Sequence, residues 1–134
     1  MILLDTCALI WSAENVSITP EASAEIAKCA AEARLYLSPL SAWEVGMAVR
    51  RKRLELQMPV EAWVNRVFSH PGVQVAPLTP EIAIRACFLD GDFHADPVDR
   101  FLVATAIEMG LTLVTRDEQI LRYGNQGHLN VMAC

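Results

Sequence analysis

The stretch MILLDTCALIW, residues 1–11, sets an apolar run, an acid and a helical pattern side by side. Ile2-Leu3-Leu4 is apolar at every position. A strand with one wet face alternates, so an unbroken run fits a strand covered on both faces, as in a parallel sheet. Asp5 ends the run, and a helical pattern follows to about Ser12. Ligands of open parallel sheets bind beyond the carboxyl ends of the strands. Asp5 is therefore a candidate for chemistry, and equally for a simple turn.

Working outward, the alternation repeats. Pro20 opens a second helix, PEASAEIAKCAAEA, rich in good helix formers. Arg34 to Leu37 is a weak strand candidate. Ser38-Pro39 reads as an N-cap with proline at the first helical position, and that helix is expected to reach about Arg53. Pro59 opens another helix, broken at His70-Pro71-Gly72; Val73 to Ala76 is a strand candidate, and Pro80 opens PEIAIRACFL. A helix from Pro97 stops at Gly110. Leu111 to Thr115 is a strand, Asp117 to Tyr123 a short helix, and Asn130 to Met132 a last strand. Strands alternating with helices indicate an α/β fold around a parallel sheet. With 134 residues, 53% of them hydrophobic, the chain suits a single domain, residues 1–134, with a real core.

The net charge of −5 argues against a general nucleic-acid coat, though not against a nuclease, whose metal-binding acids add negative charge. The local exception is Arg50-Arg51-Lys52-Arg53. No apolar run reaches the roughly 18 residues of a membrane span, and MILLDTCALIW lacks the basic start of a signal peptide. The cysteines Cys7, Cys29, Cys87 and Cys134 form no CxxC pair, so reduced thiols and a cytoplasmic location are expected. Cys7 is expected to be a small core residue. His70, His94 and His128 show no ligand spacing and are read as surface residues.

Four acids stand out. Asp5 and Asp117 each follow a strand. Glu44 sits in an apolar helical stripe with Leu40, Met47 and Ala48, where a charge is costly without a cation or donors. Asp99 heads the stripe Leu102, Val103 and Ala106. Each acid also has a structural explanation: Ser41 and Glu44 match a capping box, Asp117 suits a helix cap, and Asp99 suits a helix dipole. Asp96 before Pro97 is read as an N-cap. Four such acids together are harder to explain singly. If they converge, hard oxygen ligands without clustered His or Cys suggest Mg²⁺ or Mn²⁺ rather than zinc.

Asp5-Thr6 after the first strand, SAWEVGMAVRRKRLEL around Glu44, HADPVDRFLVATA around Asp99 and LVTRD ending at Asp117 together resemble the PIN domain. More closely, they resemble the VapC-type toxins of bacterial toxin–antitoxin pairs. The resemblance implies a PIN-like α/β/α sandwich with a central parallel sheet. It implies a Mg²⁺- or Mn²⁺-dependent endoribonuclease using a metal-activated water and leaving a 5′-phosphate and a 3′-hydroxyl. Asp5, Glu44, Asp99 and Asp117 match the acidic quartet, with Asp5 and Asp99 as direct metal ligands and Glu44 and Asp117 acting directly or through water. Thr6 and Thr115 match supporting hydroxyls. Arg50, Arg51, Arg53, Arg100 and Arg116 are candidates for substrate binding, although a solvated basic face is the commoner fate of such a run. The expected partners are an RNA substrate, a cognate antitoxin and a second copy in a homodimer. Trp11, Trp43 and Trp63 are candidates for such surfaces, with core packing expected of most.

Two rivals fit less well. A receiver-like switch needs paired acids after its first strand and a late lysine, yet the only lysines are Lys28 and Lys52. A D-x-D phosphatase fails because Asp5 is followed by Thr6-Cys7. The remaining alternative is a non-catalytic PIN-like module that binds RNA or protein.

Overall fold

The computed structural model describes residues 1–94 and 96–134. The apolar runs form five short strands: β1 (Ile2–Leu4), β2 (Leu35–Leu37), β3 (Val73–Val75), β4 (Thr112–Thr115) and β5 (Val131–Ala133). All pair in parallel, in the order β3-β2-β1-β4-β5. Among the described residues seven helices make the connections: α1 (Thr6–Ala13) and α2 (Pro20–Ala31), α3 (Pro39–Arg50) and α4 (Val60–Phe68), α5 (Pro80–Cys87) and α6 (Pro97–Met109), and α7 (Glu118–Asn125). None of these helices is long and apolar enough to cross a membrane.

The unbroken apolar character of β1 has the expected cause. Ile2 and Leu4 face one layer, with Leu35, Leu37 and Val114, against Ala8, Leu9, Ile26, Val45 and Trp63. Leu3 faces the other, with Leu113, against Leu102, Val103, Ile120 and Tyr123. A strand of three residues with both faces covered has no polar side chain to place. Ile82, Ala86 and Ala104 fasten α5 onto the outside of α6.

Caps set the helix starts. Ser38 caps α3 through Leu40 N, as its Ser-Pro sequence predicts. This overturns the capping-box reading of Ser41 and Glu44, because Ser41 is buried inside the first turn. Gly110 ends α6 in the left-handed region at φ 65°, which glycine enters without a Cβ clash.

The expected run of α3 to Arg53 also needs correction. The helix ends at Arg50. Lys52 adopts φ 59°, its N–H donates to Val49 O, and the Arg53 N–H donates to Ala48 O. This is the paired 5→2 and 6→1 ending of a Schellman motif, built without glycine. The basic run therefore wraps around a helix end instead of lying along a helix face.

The sheet order places the reversal of winding between β1 and β4, since the chain runs 1-2-3 outward on one side and 4-5 on the other. A crevice is expected beyond the carboxyl ends of those two strands.

Candidate active site

The same local motif is built twice at that crevice. At the end of β1, Asp5 caps α1, its Oδ1 accepting from Ala8 N at 2.7 Å. At the end of β4, Asp117 caps α7, its Oδ1 accepting from Ile120 N at 2.9 Å. Thr115 joins the two corners: its hydroxyl donates to Asp5 Oδ2 and accepts from Asp117 N at 3.0 Å. The capping reading of Asp117 is thus correct as far as it goes, and Asp5 is a cap rather than a bare turn residue.

Glu44 comes from the second turn of α3, where it accepts from the Thr6 hydroxyl. Asp99 comes from the first turn of α6, above the wholly buried Leu102 and Val103. Asp5, Glu44, Asp99 and Asp117 line one cavity of about 530 Å³, with Thr6, Trp11 and Arg116. Asp96 lines it too. Its Oδ1 makes the expected cap bonds to Val98 N and Asp99 N, at 3.0 and 3.2 Å.

Five carboxylates face one guanidinium here, and three of them, Asp5, Glu44 and Asp99, hold their protons more tightly. Asp99 is pushed up to about 7, first by burial and then by Asp96, Asp117, Glu44 and Asp5. Burial also raises Asp5, outweighing the bonds from Thr115 and Ala8. Glu44 is raised by burial, with the Thr6 bond opposing and Asp96 and Asp5 adding to it. Uncompensated like charge of this kind marks functional sites more often than structural ones.

One oxygen each from Asp99 and Asp117 and a ring nitrogen of His94 lie within 4.8 Å of one another, a spacing able to hold a metal ion. Asp5 and Glu44 line the same cavity but stand outside this tight group. Of the expected direct ligands Asp5 and Asp99, the tight group contains Asp99. Both Asp5 oxygens are already tied down, whereas Asp117 is exposed.

His94 also corrects the reading of the histidines as surface residues. Its side chain is 22% exposed, and Nε2 lies 3.3 Å from Asp99 Oδ2. His70 is exposed, while His128 is half-buried and stacks on Tyr123. No spacing rule reveals His94, because the loop turns it back onto the helix that follows.

Cys7 is exposed at the cavity rather than in the core. Its thiol is pushed up to about 11, by desolvation first and then by Asp5, Glu44 and Asp99. It is therefore protonated at neutral pH and no nucleophile.

Arg100 is spent on backbone carbonyls. It donates to Ala86 O at 2.8 Å, Phe93 O at 3.2 Å, His94 O at 3.3 Å and Cys87 O at 3.2 Å. These bonds, rather than the cavity, take up the guanidinium of this expected substrate-binding residue. Arg116 stays at the cavity edge, pinned by Cys134 O at 2.7 Å and lying 4.1 Å over the Trp11 ring. Arg50, Arg51 and Arg53 are exposed outside the cavity. Trp63 is buried as expected, its Nε1 donating to Glu14 at 2.6 Å. Trp43 is not core; it is 57% exposed.

A sheet of this order with an acid crevice at its winding reversal is a recognised class, and the sequence matches it: residues 2–126 fit the PIN domain model, and the chain belongs to that family. Among curated proteins it is 34% identical over 120 residues to Ribonuclease VapC22 of Mycobacterium tuberculosis, covering 89% of this chain and 88% of that one. Its fold is that of VapBC2 from Rickettsia felis, solved bound to a promoter DNA fragment (TM-score 0.72, 14% identity, 99% of this chain and 98% of that one). It is also that of FitAcB from Neisseria gonorrhoeae (TM-score 0.64, 20% identity, 98% and 96% covered).

Proposed function

We propose that this chain is a Mg²⁺- or Mn²⁺-dependent endoribonuclease, the toxin of a type II toxin–antitoxin pair working in the cytoplasm. The observation that carries the reading is the convergence of Asp5, Glu44, Asp99 and Asp117 on one cavity, with the Asp99 carboxyl raised to about 7. Such a cluster is short of positive charge. Its donors are mainly carboxylate oxygens, the chemistry that suits a hard divalent cation. The 34% identity to a VapC-type ribonuclease supports RNA as the substrate.

Asp99 and Asp117 would hold the cation most closely. Asp5 and Glu44, fastened by Thr115 and Thr6, would act through water and keep the local field negative. A divalent cation held there supplies a water activated at neutral pH and positive charge at the scissile phosphate. Arg116, held over the Trp11 ring, would bring a cation to the cavity edge where a phosphate would pass. Arg50, Arg51 and Arg53, at and just beyond the end of α3, would meet flanking phosphates. The likeness to VapBC2 and FitAcB supports a cognate antitoxin as partner, and the proposal includes a homodimer as the assembled form.

The test is cleavage of total RNA with and without Mg²⁺ or Mn²⁺, with the new 5′ ends mapped. Asp99→Asn keeps the shape and removes the charge, so cleavage should fall by orders of magnitude in a folded protein. Asp96→Asn should retain most activity, since Asn caps as well as Asp. Equal loss in both would assign the role to the wrong acid. No cleavage by the wild type with either cation would favour a non-catalytic binding module.

A further inference from the structure

Asp5 accepts from Ala8 N and Thr115, Glu44 from Thr6, and Asp117 from Ile120 N. Among the described residues no aligned donor reaches the carboxylate of Asp99. A carboxylate that must meet a cation in one orientation needs such a donor, because outer partners orient the inner ligands.

His94 stands where that donor is missing. The backbone N–H of Asp96 donates to His94 Nδ1 at 3.3 Å. A neutral ring that accepts at Nδ1 carries its proton on Nε2. Nε2 is shut off from solvent and has no aligned partner, while Asp99 Oδ2 lies 3.3 Å away. An N–H left unpaired in a buried position bears the full cost of its desolvation. A small turn of the ring brings the two into line, and hydrogen bonds of unfilled sites are often long and tighten on filling.

The loop is built to hold the ring there. Arg100 binds the carbonyls of Phe93 and His94 themselves. The Phe93 ring packs 4.9 Å from that of Tyr123, whose hydroxyl donates to Asp90 O. This gives Arg100 a use that a substrate-binding role does not explain: it fastens the segment carrying His94 to the helix carrying Asp99.

We propose that His94 is a positioning residue for the cation site: its Nε2–H donates to Asp99 Oδ2 and fixes the orientation in which that carboxylate meets the ion. The inference rests on the cation-dependent reading above. The competing role, a nitrogen bound directly to the ion, needs a bare Nε2. The proton would then move to Nδ1 and the bond from Asp96 would be lost.

The experiment titrates Mn²⁺ into the full chain, as wild type, His94→Ala and His94→Gln, and reads the magnetic resonance of the bound ion for nitrogen coupling. Both substitutions fall in a loop on a partly exposed side chain, so no core packing is removed. His94→Ala should weaken Mn²⁺ binding about tenfold. His94→Gln, whose side-chain amide N–H reaches the position of Nε2, should recover most of that loss, and the wild-type spectrum should show no directly bound nitrogen. Unchanged affinity in His94→Ala overturns the inference and leaves the cation site standing. So does a Gln variant as weak as the Ala variant. A nitrogen coupling lost in His94→Ala replaces positioning by direct ligation. A wild type that takes up no Mn²⁺ removes both the inference and the reading beneath it.

Discussion

The corners at the ends of β1 and β4 are the same device in two settings. Each is a strand, an aspartate and a helix, and each aspartate caps its helix three residues on. Asp5 is 7% exposed and has both oxygens engaged, whereas Asp117 is exposed with one recorded acceptor bond. Thr115 lies between them, serving one corner as donor and the other as acceptor. The lesson is that a cap and a site acid are not alternatives. Capping occupies one lone pair and orients the carboxylate; depth in the fold then decides whether the rest faces a cation or is tied down.

The comparison is most directly broken by activity. Asn caps nearly as well as Asp, so Asp5→Asn and Asp117→Asn should both stay folded. Each should lose RNA cleavage by orders of magnitude at saturating Mn²⁺. A variant that cleaves normally would reduce its corner to a helix cap.

A smaller effect tests the link between the corners. Thr115→Val keeps the shape and removes the hydroxyl, leaving a buried Asp5 oxygen and the Asp117 N–H without their partner. The expected loss is about 1–3 kcal/mol of unfolding free energy, measured by urea denaturation with cation removed. A neutral result would mean that the two corners stand independently.

The smallest effect, because salt and trace cation mask it, concerns pH. Asp99 is raised from 3.8 to about 7, so between those values the folded chain binds more protons at this group than the unfolded one. Stability contributed here is lost as pH rises through that window and regained as it falls. Chelator-treated protein should melt higher as pH drops from about 7 toward 5, and Asp99→Asn should flatten the trend. Adding Mn²⁺ to wild type should reverse it, because the ion binds the ionised site of the folded form. A melting temperature indifferent to both pH and Mn²⁺ would show that the acids do not crowd one another.

Much of this was open to reading along the chain. A strand buried on both faces has no choice of side chain, so Ile2-Leu3-Leu4 and Leu113-Val114 declare themselves. Proline at a first helical turn marks α2, α3, α5 and α6, and Gly110 marks a stop. Glu44 and Asp99 are conspicuous because a carboxylate inside an apolar stripe is costly without a cation or donors, and Asp5 and Asp117 because acids after strands lie at the binding edge. These are local rules, and each needs only the spacing of neighbours.

Tertiary structure decided what depends on segments far apart in sequence. Lys52 ends α3 in a backbone conformation that favours glycine, and nothing in Arg50-Arg51-Lys52-Arg53 announces it. Arg100 looks like a phosphate ligand, yet the end of α5 and the loop after it bring four carbonyls into reach of its guanidinium. Cys7 reads as core, yet α1 turns it to the cavity. His94 reads as a surface residue, yet its loop turns it onto Asp99. Side-chain type states what a group can bind; which partner it meets, and how far water is excluded, follows only when the parallel pairing of β1 with β4 brings the segments together.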